Sequence, residues 1–125
     1  MVLVVDDDRD AAEAVAAVLG HRGYRPVTAL SGGDALRILR AGLEPGLIIL
    51  DMTMPGIDGW DFRSAQLADA RLARIPVVLY SGASGAEAIA ATLRADGVSV
   101  KPHFESLLAE VARCLGRPRT DAGRA

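Results

Sequence analysis

Leu47-Ile48-Ile49-Leu50-Asp51-Met52-Thr53-Met54-Pro55-Gly56 places four apolar residues in a row ahead of a carboxylate and a turn carrying Pro and Gly. A strand buried on both faces has that uninterrupted apolar pattern, and strands of this kind belong to parallel sheets covered by helices. In an open α/β sheet, ligands bind beyond the carboxyl ends of the strands, which is where Asp51 stands. A strand-end Asp taken alone is more often a turn residue than a reactive group. The meaning of Asp51 therefore rests on what the other strand ends present.

Outward from this stretch, strands and helices alternate. A run rich in β-branched residues, Val2-Leu3-Val4-Val5, opens the chain as a first strand and is closed by Asp6-Asp7-Asp8. Ala11, Ala14, Val15, Val18 and Leu19 recur at helical spacing over residues 9–21. Residues 24–30 form a weaker strand whose Pro26 suits a sheet edge, because proline cannot donate to the ladder. Ser31-Gly32-Gly33-Asp34 has capping-box spacing ahead of a helix carrying Ala35, Leu36, Ile38 and Leu39.

After Asp58-Gly59, a further capping signal, a third helix is expected over 60–72, a segment that contains Phe62, Ala65, Leu67 and Ala68. Pro76-Val77-Val78-Leu79-Tyr80 then reads as a fourth strand ending at Ser81-Gly82. Ser84 and Glu87 share capping-box spacing before a fourth helix with Ala88, Ile89, Ala91, Thr92 and Leu93. Val98-Ser99-Val100 is a fifth strand, stopped by Lys101-Pro102. Phe104, Leu107, Leu108, Val111 and Leu115 give the cleanest helical stripe in the chain, a fifth helix.

Five strands alternating with five helices predict a doubly wound α/β parallel sheet with right-handed crossovers. One domain is expected over residues 1–115, followed by a frayed tail over 116–125. The 14 basic and 16 acidic residues leave a net charge of -2, which gives no broad positive field for nucleic acid or an anionic membrane. No run approaches the ~18 apolar residues of a membrane span, and the lone Cys114 lies in an apolar helical pattern as a buried, inert thiol. A reducing compartment, the cytoplasm, is the expectation.

With parallel strands, one rim of the sheet gathers Asp6 and Asp7, Asp51, Ser81 and Lys101. Three carboxylates repel one another, and one ammonium cannot neutralise them. A hard divalent cation can, and Mg²⁺ habitually bridges carboxylate to phosphate. A phosphoryl group arriving at Asp51 would find Mg²⁺, Lys101 and the Ser81 hydroxyl for its oxygens, with Asp6, Asp7 and the Thr53 backbone carbonyl as further metal ligands.

Val4-Val5-Asp6-Asp7-Asp8, the segment from Leu50 to Gly59, Pro76-Val77-Val78-Leu79-Tyr80-Ser81 and Lys101-Pro102, in that order and each at a strand end, carry a resemblance. The chain resembles the receiver domain of bacterial two-component response regulators, of the single-domain, chemotaxis-regulator-like kind, over about residues 1–115. The resemblance implies a flavodoxin-like (βα)5 fold with strand order 2-1-3-4-5. It implies that Asp51 accepts a phosphoryl group from a sensor histidine kinase or phosphotransfer protein, with no substrate turned over as an enzyme would. Asp7 resembles the direct Mg²⁺ ligand, Asp6 a ligand acting directly or through water, and Lys101 the lysine paired with the acceptor. Ser81 resembles the switch hydroxyl, and Pro102 a residue whose preceding peptide bond is often cis. The output partner would dock on the face of the fourth helix, fifth strand and fifth helix.

Two departures accompany the resemblance. Val98 stands three residues before the lysine, where the family carries an aromatic that swings between rotamers. The segment from Ser81 to Lys101 is about two residues shorter than the family leads one to expect, and its Gly82 and Gly85 fit either a mobile switch loop or a plain strand-to-helix turn. Two readings from other classes remain beside the receiver. One is a pseudo-receiver that binds partners without phosphorylation. The other is an Asp-nucleophile phosphatase, which lacks its second acid here because Thr53 follows Asp51-Met52.

Overall fold

The computed structural model describes residues 1–51, 59–82 and 85–116. The chain forms β1 (Val2–Val5), α1 (Arg9–His21), β2 (Pro26–Ala29), α2 (Gly32–Arg40), β3 (Leu47–Leu50), α3 (Gly59–Leu67), α4 (Ala70–Ala73), β4 (Val77–Ser81), α5 (Ala86–Leu93), β5 (Gly97–Val100) and α6 (Phe104–Leu115). The strands make one parallel sheet in the order β2-β1-β3-β4-β5, so the doubly wound fold expected from the sequence is the fold observed.

Side chains alternate across each central strand and sort the core into two layers. Leu3, Val5, Ile48, Leu50, Val77 and Leu79 point to the layer formed by α2, α3, α4 and α5. Val2, Val4, Leu47, Ile49, Val78 and Tyr80 point to the layer of α1 and α6. The unbroken apolar runs of β1 and β3 are thus what a strand with a helix on either face requires. Pro26 sits on the edge strand, opposite Val2.

Side-chain caps open α1 and α2, of which the sequence indicated the one at α2. The Asp8 carboxylate accepts from the Asp10 and Ala11 amides at the start of α1, and Ser31 Oγ accepts from the Asp34 amide at the start of α2. These satisfy amides that have no partner inside the helix. The Ser84 and Asp58 capping signals lie outside the described residues. Gly85, at φ 74°, immediately precedes α5, with no side-chain cap there.

Several elements differ from expectation. The second strand is shorter, because the Tyr24 amide donates to Leu19 O and closes α1 instead of joining the sheet. The single third helix over 60–72 is two helices: Asp69 interrupts it and accepts from the Arg71 amide to cap α4. The inner face of α3 is Gly59, Phe62, Arg63 and Gln66, whereas Leu67 is exposed. In α5, Ala86, Ala90 and Leu93 are buried while Ala88, Ala91 and Thr92 face outward, since an alanine-rich helix offers little contrast between faces. On α1, Ala12 is buried and Ala14 exposed. Cys114 is half-buried rather than buried, and burial pushes its thiol pKa up against the opposing effect of Arg113. That is the direction of an unreactive thiol.

Phe62 and Leu67 provide a check on the orientation of α3. Phe62→Ala is expected to cost about 3–5 kcal/mol in urea unfolding, as for a fully buried aromatic. Leu67→Ala is expected to stay within about 0.5 kcal/mol, as for a surface position. Comparable losses at both sites would contradict the observed facing of α3.

Candidate functional site at the carboxyl rim of the sheet

Four of the five strands deliver a polar residue at, or one step past, the carboxyl end. Asp6 follows β1, Asp51 follows β3, Ser81 closes β4 and Lys101 follows β5. The ladder continues through their backbones: the Asp6 amide donates to Ala29 O at 3.1 Å, Asp51 to Val5 O at 3.0 Å, and Lys101 to Ser81 O at 3.1 Å. These bonds hold the bases of three polar side chains in the plane of a buried sheet. Asp6, Asp51 and Ser81 are all buried, Asp7 is exposed and Lys101 is half-buried.

Carboxylate oxygens of Asp6, Asp7 and Asp51 lie within 4.8 Å of one another, a spacing that could hold a metal ion. Lys101 Nζ reaches into the group, 2.8 Å from Asp6 Oδ2 and 3.8 Å from Asp51 Oδ1. The lysine thus hydrogen-bonds Asp6, whereas the sequence reading paired it with Asp51. Asp6 Oδ1 also accepts from the Asp8 amide at 3.0 Å, so both oxygens of Asp6 are engaged. Burial by itself would lower the Lys101 pKa, but the Asp6 hydrogen bond and the charges of Asp51 and Asp6 outweigh it and raise the value above 10.5.

Three carboxylates against one ammonium leave an excess of negative charge in a partly desolvated place. The all-oxygen donor set suits a hard cation, so the residues fit a Mg²⁺ ion. Thr53, the expected carbonyl ligand, and the rest of the turn after Asp51 lie outside the described residues. The Lys101–Pro102 peptide is cis, as the Lys-Pro pair suggested. His21 and His103 are exposed and stand apart from the acidic group.

Two contributors were not visible in the sequence. Tyr80, read only as a strand residue, lies with its ring 5.8 Å from Lys101 Nζ and 6.3 Å from the Phe104 ring. Burial, followed by the smaller opposing effect of Lys101, pushes the Tyr80 phenol pKa up. The ring therefore stays neutral beside the ammonium and offers it a π-face. Asp8, third of the acidic run, serves the fold: it caps α1 and sends its amide to Asp6. The alternation of polar and apolar residues gives no sign of either role.

The chain matches the family model described as "Response regulator receiver domain" over residues 2–112. The chain belongs to that family. The receiver domain is 35% identical over 121 residues to the Positive alginate biosynthesis regulatory protein of Pseudomonas aeruginosa, covering 94% of this chain and 47% of that protein. It therefore spans about half the length of that relative. Among solved structures, the chemotaxis protein CheY4 of Vibrio cholerae superposes with a TM-score of 0.82 at 29% identity, over 91% of this chain and 97% of that one. The response regulator TrrA of Thermotoga maritima, in complex with Mg(2+)-BeF, gives a TM-score of 0.81 at 30% identity over 91% and 97%. Among the described residues, no helix of the receiver is long and apolar enough to cross a membrane.

The raised Lys101 pKa has a pH signature. A group whose folded pKa exceeds its unfolded value contributes stability below the unfolded value and loses it as pH rises through the folded one. In EDTA, the parent is expected to exceed Lys101→Met in urea stability at pH 8 to 9, with the gap closing above 10.5. A gap unchanged at the alkaline end would contradict the ion pair with Asp6.

Proposed function

We propose that this receiver domain accepts a phosphoryl group on Asp51 and passes the resulting change to an output partner. The observation that carries the reading is the buried Asp51 carboxylate set beside two further carboxylates and one ammonium. The donor is a phosphohistidine of a sensor histidine kinase or of a phosphotransfer protein, which locates the domain in the cytoplasm. Phosphorylation is a single self-directed event, without turnover of a separate substrate.

In the transfer, an Asp51 carboxylate oxygen attacks phosphorus in line with the leaving group. The new O–P bond forms as the P–N bond to the donor imidazole breaks, and the departing nitrogen takes a proton from solvent. Asp51 needs no general base, because it attacks as an anion. Positioning and charge stabilisation supply most of the catalysis of such a step. Lys101 Nζ, now 3.8 Å from Asp51 Oδ1, is close enough to follow the charge onto a phosphoryl oxygen. The Ser81 hydroxyl, at the end of the adjoining strand, donates to another.

Asp6, Asp7 and Asp51, with the Thr53 carbonyl, would hold Mg²⁺. When bound, the ion neutralises charge on the transferring group. The Mg(2+)-BeF complex of TrrA supports this assignment, since that protein shares the fold at 30% identity. The acyl phosphate adds roughly 1.5 to 2 negative charges at neutral pH, enough to reorder the loops beside it. Ser81 and Lys101 lead directly into α5, β5 and α6, which form the output face of this reading.

Incubation with Mg²⁺ and acetyl phosphate tests the proposal by intact-mass measurement. The parent is expected to gain one phosphoryl group, removable by hydroxylamine as an acyl phosphate is, and Asp51→Asn to gain none. Uptake by Asp51→Asn equal to that of the parent, or none by the folded parent, would overturn the assignment.

A further inference from the structure

Arg63 is a charged residue in the core whose role the site does not explain. It is only 6% exposed and faces inward from α3. Its Nε donates to Leu93 O at 3.0 Å, Nη2 to Arg94 O at 2.7 Å and Nη1 to Gln66 Oε1 at 2.8 Å. Gln66 is fully buried, and its Nε2 donates in turn to Leu72 O at 3.0 Å and Ile75 O at 2.9 Å. Among the described residues no carboxylate lies within ion-pair distance of Arg63. Its charge is met by the last carbonyls of α5, the partly negative end of that helix, and at longer range by the charge of Asp96.

The two ends of α5 are therefore held differently. At the carboxyl end Arg94 adopts φ 58° and, with Leu93, directs its carbonyl to the buried guanidinium. Asp96, two residues on, exchanges bonds with the start of β4: its amide donates to Val77 O and its carboxylate accepts from the Val77 amide. At the amino end, Gly85 at φ 74° begins the helix without a side-chain cap, close behind Ser81 and Gly82. One end is clasped by a fork of donors from α3, and the other follows the strand end that carries the switch hydroxyl.

We infer that Arg63 is a positioning residue that makes the carboxyl end of α5 a pivot. A change at Ser81 then swings the amino end of α5 instead of sliding the whole helix. Such a route requires no swinging aromatic on β5, where Val98 is half-buried against the α5-side core. The inference rests on the phosphoryl reading of Asp51. It adds to that reading a residue on α3 that sets how the output face responds.

Amide hydrogen exchange, resolved along the chain with and without Mg²⁺ plus beryllofluoride, tests the pivot in the parent, Arg63→Met and Arg63→Lys. In the parent, beryllofluoride is expected to change exchange at residues 86–89 by about tenfold or more and at residues 93–95 by less than about twofold. In Arg63→Met without ligand, residues 93–95 are expected to exchange about tenfold faster relative to β1 and β3, whose amides report global stability. Arg63→Lys keeps the charge but not the fork, so an intermediate loss at the same residues is expected, and this variant decides the matter if Arg63→Met fails to fold.

An unchanged ratio between residues 93–95 and the central strands in both variants would overturn the inference. So would a ligand response spread evenly along α5 in the parent. If the amides of Asp6 and Asp51 themselves fail to respond to beryllofluoride, the phosphoryl reading falls and the pivot falls with it. A response there beside an evenly moving α5 removes the pivot alone.

Discussion

One ammonium set between two of three clustered carboxylates is the interaction around which the receiver is arranged. Lys101 Nζ sits 2.8 Å from Asp6 and 3.8 Å from Asp51, and Asp7 completes the acidic group. Such a gathering of like charge disfavours itself unless something rigid enforces it. The enforcing element is the parallel register, in which Val5 pairs with Leu50 and Ser81 with Val100. Asp6, Asp51 and Ser81 are carried to one rim by β1, β3 and β4, whose residues are all buried. The apolar sheet thus supports an electrostatic arrangement that is unfavourable by itself and that could hold a metal ion.

Most of this was legible in the sequence because it is written in contrasts. Apolar runs ending in Asp, Ser or Lys mark both the strands and what they present, and the doubly wound topology follows from their alternation with helices. The positions of Asp6, Asp7, Asp51, Ser81 and Lys101 at one rim needed only the parallel assumption. The pairing inside the group was less accessible. Whether Lys101 bonds Asp6 or Asp51 depends on fractions of an ångström in side-chain placement, which spacing along the chain does not encode.

Where the sequence misled, polar residues occupied the core or small residues blurred a helix face. Residues 59, 62, 63 and 66 follow a helical period, but Arg63 and Gln66 stand where apolar residues would have revealed it. Leu67 and Ala68 carried the expected helix on past its end, and the Asp69 cap that splits α3 from α4 was hidden in the same stretch. The buried pair is stable in place because every donor given for it meets a carbonyl or amide oxygen. That arrangement also ties α3 to the carboxyl end of α5.

The measurement closest to the centre of this account is an amide NMR titration of the parent and Asp7→Asn with Mg²⁺, in the absence of any phosphodonor. If the excess carboxylate charge at the rim is what the parallel register enforces, Mg²⁺ shifts the Asp6, Asp7, Asp51 and Lys101 resonances in the parent. Asp7→Asn then needs about tenfold more Mg²⁺ for the same change, a difference of about 1.4 kcal/mol. Equal titrations in the two proteins, or shifts scattered away from the rim, would contradict it.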